Sequence, residues 1–189
     1  MNTDHRTEAI LTARRLLERQ PIYLDCEVSV GVGRFDEVSE IAVINSDGEE
    51  LVNTFVLSGR GVPSAEQVNA PRFDQIWQAQ LREMLSGKGL NPIQPICIYG
   101  ADFRVNAIRQ SLMLYGVKPN GIKPPFCLQE FYALFNGEWD GDHFFPGYQG
   151  LLVAARCCGL NCDEPCRALA DARLAREILH YIAHQDVKL

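Results

Sequence analysis

Apolar residues fall into two spacings along this chain, and the switches between them mark its elements. In the opening segment Ile10, Ala13, Leu16 and Leu17 recur at helical spacing with arginines between them, so residues 1–20 read as an amphipathic helix. The run "IYLDCEVSV" (22–30) then reads as a strand, followed by a glycine-rich turn around Gly31 and Gly33. "SEIAVIN" (39–45) is a second strand, "SDG" a hairpin turn and "ELVNTFVL" (50–57) a third strand. Beyond a Pro- and Gly-containing loop, Phe73, Ile76, Leu81 and Leu85 share a helix that stops at Gly87. "PICIYG" (95–100) is a short apolar strand, and "FRVNAIRQSLMLYG" (103–116) a helix closed by Gly116. "LQEFYALFNGEW" (128–139) and "GYQGLLVAARCCG" (147–159) read as helical, and "RALADARLAREILHYIAHQ" (167–185) as a long closing helix. Three meander strands followed by alternating helix and strand predict an α/β fold. Its mixed sheet has about five strands, the first three antiparallel, with helices on its faces. The expected organisation is the helix of residues 1–20 followed by a single domain over 21–189.

Composition narrows this picture without redirecting it. A chain of 189 residues with 47% hydrophobic and 22% charged positions describes an ordinary soluble protein with a real core. No apolar run approaches the ~20 residues of a membrane span, and the N-terminus lacks a signal-peptide core. Seven cysteines, an odd number without a secretion signal, predict reduced thiols and a cytoplasmic location. A net charge of −6 argues against a broadly basic nucleic-acid binder, while leaving room for a local basic groove or a metal-mediated site.

Two constellations carry little chemistry. Cys157, Cys158, Cys162 and Cys166 have the number of thiolates a structural zinc needs, but C-C-x3-C-x3-C lacks the usual CxxC knuckle. Small buried or loop cysteines are the expectation. His180 and His184 are spaced i, i+4, yet "HYIAH" lacks the central Glu of a metalloprotease motif. Neither they nor His143, in the loop "GDHFFPG", are expected to be catalytic.

Asp25 and Glu27 are different, because they stand inside a run that otherwise wants to be buried, and a buried charge is costly unless compensated. Residues i and i+2 of a strand face one side, so the two carboxylates converge. They are either edge-strand carboxylates facing water or ligands for a hard divalent cation, which takes oxygen donors. Asp171, near the start of the closing helix, is a candidate third carboxylate.

The ordered motifs "LDCE" on the first strand, "YGADF" at a strand-to-helix junction and "RALADA" opening the last helix resemble the DEDDh 3′–5′ exonucleases of the RNase H-like superfamily, which includes proofreading exonucleases. The resemblance runs over residues 21–184, including "GEW" and "LLVAARCCGL". It implies an RNase H-like fold and four carboxylates holding two divalent metals, Mg²⁺ or Mn²⁺. It further implies a His general base and release of nucleoside 5′-monophosphates from a single-stranded DNA or RNA 3′ end. Asp25 and Glu27 match the first motif and Asp171 the third, as catalytic and metal-binding residues. The chain departs elsewhere: Arg104 stands where the family has Asp, and Cys166 where it has His. "GVPSAEQVNAPRFDQI" is also too short for the family's nucleotide-seating loop.

These departures have chemical weight. A guanidinium about 6 Å from Mg²⁺ is repelled by roughly 5 kcal/mol at an effective dielectric of about 20, which disfavours two-metal loading. Asp102, before Phe103, points elsewhere as the helix begins. A thiol at Cys166 is shorter than an imidazole, and acidic neighbours raise its pKa. Two readings follow. One is an exonuclease that is weak or dependent on another metal such as Mn²⁺; the other is a catalytically inactive relative that binds nucleic acid or a protein partner. Severely impaired hydrolysis is the favoured expectation. Arg104 is then a built-in substitute for the second metal, expected to contact Asp25 or Asp171.

Overall fold

The computed structural model describes residues 3–30, 36–86, 94–137, 147–162 and 167–187. The Gly31/Gly33 turn, the helix stop at Gly87, Glu138 and Trp139 of "GEW", His143 and Cys166 lie outside them. Five strands form one mixed sheet in the order β3-β2-β1-β4-β5. β1 (Ile22–Val30), β2 (Asp36–Ile44) and β3 (Glu50–Phe55) are the expected antiparallel meander. β4 (Ile96–Ile98) runs parallel to β1, and β5 (Phe126–Cys127) parallel to β4. The α/β class, the five strands and the flanking helices are as the sequence predicts, and the architecture is compatible with an RNase H-like fold.

Strand alternation divides the core in two. On one face α1 (Thr3–Glu18), α5 (Leu128–Asn136), α6 (Leu151–Cys157) and α7 (Ala168–Ala183) cover Tyr23, Ile44 and Cys97. On the other, α2 (Phe73–Ile76), a π-helical turn (Trp77–Leu81), α3 (Arg82–Ser86) and α4 (Ala101–Leu114) cover Leu24, Cys26, Ile41 and Val43. Because Tyr23 faces α7, the period of two puts Asp25 and Glu27 on that face as well. In α7 the buried positions Ala168, Ala172, Ala175, Leu179 and Ile182 make the stripe that packs there.

Three local features depart from the sequence reading. The single helix expected from Phe73 is broken by the π-helical turn, a feature that widens the backbone for one turn. The fifth strand is only Phe126 and Cys127, too short to produce a periodicity. α4 begins at Ala101, earlier than "FRVN", because Gly100 turns the chain in the left-handed region at φ 70°. Among the described residues no helix is long and apolar enough to cross a membrane.

The β1–β2 ladder slips just beyond the pair Glu27↔Glu40, where Val28 next pairs with Val38. A bulge of this kind kinks the strand and leaves backbone groups to find other partners. Here α4 supplies one: the buried hydroxyl of Ser111 accepts a bond from the Val38 N–H at 2.9 Å. Gln110 Oε1 accepts from the Asp36 N–H at 2.9 Å. These bonds fix α4, and hence its first turn, against the sheet. Replacing Ser111 by Ala leaves a buried N–H unpaired, and a loss of about 1–3 kcal/mol of unfolding free energy is expected in urea titration.

Candidate metal and catalytic site

β1 pairs with β4 only through Ile22↔Ile96 and Tyr23↔Cys97. Asp25 therefore lies two residues past the last paired position, where the chain after β4 has already turned into α4. Its carboxylate is almost wholly buried, 1% exposed. Arg104, in the first turn of α4, donates from Nε to Asp25 Oδ1 at 2.9 Å. The expected contact between Arg104 and the carboxylates is thus present. Asp25 Oδ2 is buried and accepts no hydrogen bond among the described residues.

Half-buried Glu27 and Asp171 complete the group. One carboxylate oxygen from each of Asp25, Glu27 and Asp171 lies within 4.8 Å of the others. Asp171 reaches the sheet because α7 starts beside it, and the Asp171 N–H donates to the Arg167 carbonyl at 2.9 Å. The backbone leaves little room for error around Arg104. A methyl group on Gly100 would stand 3.1 Å from Arg104 Nη1 and would also strain a backbone at φ 70°.

The other sequence candidates lie elsewhere. Asp102 is exposed and lines a groove with His5, Glu8, Arg109 and Glu130, away from the carboxylate group. His180 is nine residues along α7 from Asp171, about 13 Å at 1.5 Å per residue. Its Nε2 is buried without a hydrogen bond among the described residues, and burial holds its pKa down. Cys157 is exposed, Cys158 buried, and the Cys162 thiol points to the carbonyls of Leu160 and Leu152. Among the described residues these thiols form no metal-ligating cluster; the group that qualifies is the carboxylate trio.

No protein-family model matches the chain. The chain is similar to a protein of Escherichia phage 186 named "Uncharacterized exonuclease CP81". The two are 28% identical over 182 residues, spanning 90% of this chain and 92% of the phage protein.

Two further residues belong to the neighbourhood, and the sequence reading passed over both. Glu40 stands directly across the ladder from Glu27 and is 4% exposed. It accepts a bond from Arg167 Nε at 2.8 Å. The signal for Glu40 was available, since a Glu inside "SEIAVI" is as anomalous as the acids of β1. Its partner was not legible, because the register that sets Glu40 beside Glu27 depends on the bulge.

Burial, more than mutual repulsion, raises the pKa values of the carboxylates. It pushes Asp25 from its ordinary 3.8 up to about 7, against the lowering effect of Arg104, with Asp171 and Glu27 adding a smaller upward push. Glu27 and Asp171 are raised too, again first by burial. Arg104 therefore relieves the strain only in part. An acid whose folded pKa is raised binds its proton more tightly when folded. The stability it contributes is full below its unfolded pKa and is lost as pH rises through the folded one. In chelator-containing buffer the melting temperature is expected to fall between about pH 4 and pH 7. Asp25→Asn should flatten that slope.

Proposed function

We propose that the protein is a divergent relative of the DEDDh 3′–5′ exonucleases that engages a single-stranded 3′ end through one divalent cation and hydrolyses it weakly or not at all. Residues 21–189 make the exonuclease-like domain in this reading, with the helix of residues 1–20 packed onto it. The similarity to the phage exonuclease, the mixed sheet and the order of the carboxylate motifs support it. The observation that carries the loss of turnover is the 2.9 Å bond between Arg104 Nε and buried Asp25 Oδ1.

The donor set fits one cation. Three carboxylate oxygens lie within 4.8 Å of one another, and Asp25 Oδ2 is buried without a partner among the described residues. That chemistry suits Mg²⁺ or Mn²⁺. It does not fit two, because the other oxygen of Asp25 is taken by a permanent positive charge and position 104 offers no carboxylate. A divalent cation held there supplies charge neutralisation for a phosphodiester and acidifies water. The remaining roles fall to the chain itself. Arg104 fixes Asp25 and keeps its charge, since the acidic surroundings raise its own pKa. Among the described residues no histidine joins the carboxylate cluster. Cys166 stands at the family's His position.

A second reading, residual exonuclease activity, is favoured by the complete trio Asp25, Glu27 and Asp171. The two separate in an assay on 5′-labelled single-stranded DNA and RNA with Mg²⁺ or Mn²⁺, with Asp25→Ala as the control. The unmodified protein should digest about 100-fold or more slowly than the double variant Arg104→Asp with Cys166→His, which restores a carboxylate and a general base. Mg²⁺ should raise the melting temperature of the double variant more than that of the unmodified protein. Rapid Mg²⁺-dependent digestion by the unmodified chain would overturn the assignment of Arg104.

A further inference from the structure

We infer that Arg167 is a phosphate-binding residue at the rim of the carboxylate site, holding a backbone phosphodiester of the bound strand on its guanidinium edge. This rests on the reading of the protein as a binder of nucleic-acid ends. Arg167 precedes α7 by one residue, and its carbonyl accepts from the N–H of Asp171. Its side chain is tied at two points. Nε donates to buried Glu40 at 2.8 Å, and the guanidinium carbon lies 4.6 Å from the centre of the Phe55 ring. The side chain nevertheless remains 47% exposed. Its Nη1 and Nη2 make no hydrogen bond among the described residues.

Neutralising Glu40 alone would not require this geometry. A compact ammonium can also neutralise a carboxylate, whereas a planar guanidinium anchored through Nε keeps two further terminal nitrogens as donors suited to phosphate oxygens. Anchoring by a buried acid and an aromatic face removes most of the rotamer entropy that a free surface arginine loses on binding. The position is also suitable. Glu40 lies across from Glu27, so Arg167 is one ladder pair away from the trio.

Charge balance makes an anion acceptable there once a cation is bound. Asp25, Glu27, Glu40 and Asp171 against Arg104 and Arg167 leave a formal −2, which one divalent cation cancels. Besides Glu40, the fields of exposed Glu66 and of Glu27 reach Arg167, so attraction of a strand should depend on the cation.

The test is fluorescence anisotropy with 5′-labelled oligothymidylate and oligouridylate, in Ca²⁺ to avoid cleavage, across a range of NaCl. Arg167→Gln should weaken binding of both strands about 10-fold and lower the slope of log affinity against log salt by roughly 0.7–1. Arg167→Lys should retain the slope while binding more weakly than the unmodified protein. A purely structural role would leave the salt slope unchanged. Should Arg167→Gln unfold because Glu40 is left buried and charged, Arg167→Gln with Glu40→Gln keeps the pair neutral and gives the same reading. If the unmodified protein binds and these variants bind with equal affinity and slope, the role of Arg167 is overturned while the proposed function stands. If the unmodified protein binds neither strand, both fall.

Discussion

A carboxylate at Asp25 sits almost out of reach of water, and the structure around it is arranged to make that tolerable. An isolated buried charge is costly enough that a protein shifts its pKa or supplies a partner. Here both responses are visible. One oxygen of Asp25 takes the Arg104 Nε–H, and the pKa still climbs to about 7. The partner can be there only because α4 starts early, on the left-handed Gly100, and because Ser111 and Gln110 tie α4 to β2. A sheet bulge, a glycine turn and a helix start are therefore parts of one device.

That device explains why the acids gather at this end of the sheet. β4 is three residues long and pairs with β1 through two positions. β1 then runs on alone on that side, and the space vacated by β4 is filled by the first turn of α4. From the opposite face α7 brings Asp171, and across the ladder β2 brings Glu40. Helices from both faces thus reach one strand end. Each acid has burial as a cost, and each arginine lies beside one of them: Arg104 with Asp25, Arg167 with Glu40.

Much of this could be read from residue order. The period of two in "IYLDCEVSV" put Asp25 and Glu27 on one face, and the period of α7 placed Asp171 at its start. The meander was legible because its turns have clear chemistry: Asn45 Oδ1 accepts from the N–H groups of Asp47 and Glu49, and Gly48 takes φ 88°. Arg104 could be placed near the acids because it sits on the motif that enters α4. What could not be read depends on tertiary geometry. The two residues of β5 exist as a strand only because β4 is there to pair with them. The Glu27↔Glu40 pairing depends on the bulge that follows it, and the π-helical turn has no sequence period of its own. The origin of the raised pKa values was also hidden, because burial outweighs repulsion only once both faces are packed.

On the proposed reading, an arginine in place of a metal-supporting acid alters how the site is stabilised, not merely its charge. Stabilisation by a bound cation follows its free concentration, growing as RT ln(1 + [L]/Kd) and vanishing when the ion is removed. A guanidinium carried by α4 is present at every ion concentration and cannot be deprotonated under ordinary conditions. In this chain, half of the compensation for Asp25 is therefore permanent, through Oδ1, while Oδ2 has no bond among the described residues. On the proposed reading, the fold keeps a reason to attract one ion and does not depend on a second. On the same reading, the side chain that makes the buried acid tolerable without metal also takes the place from which a second ion would meet a phosphate. Stability of the metal-free site and the proposed loss of two-ion chemistry then follow from a single side chain.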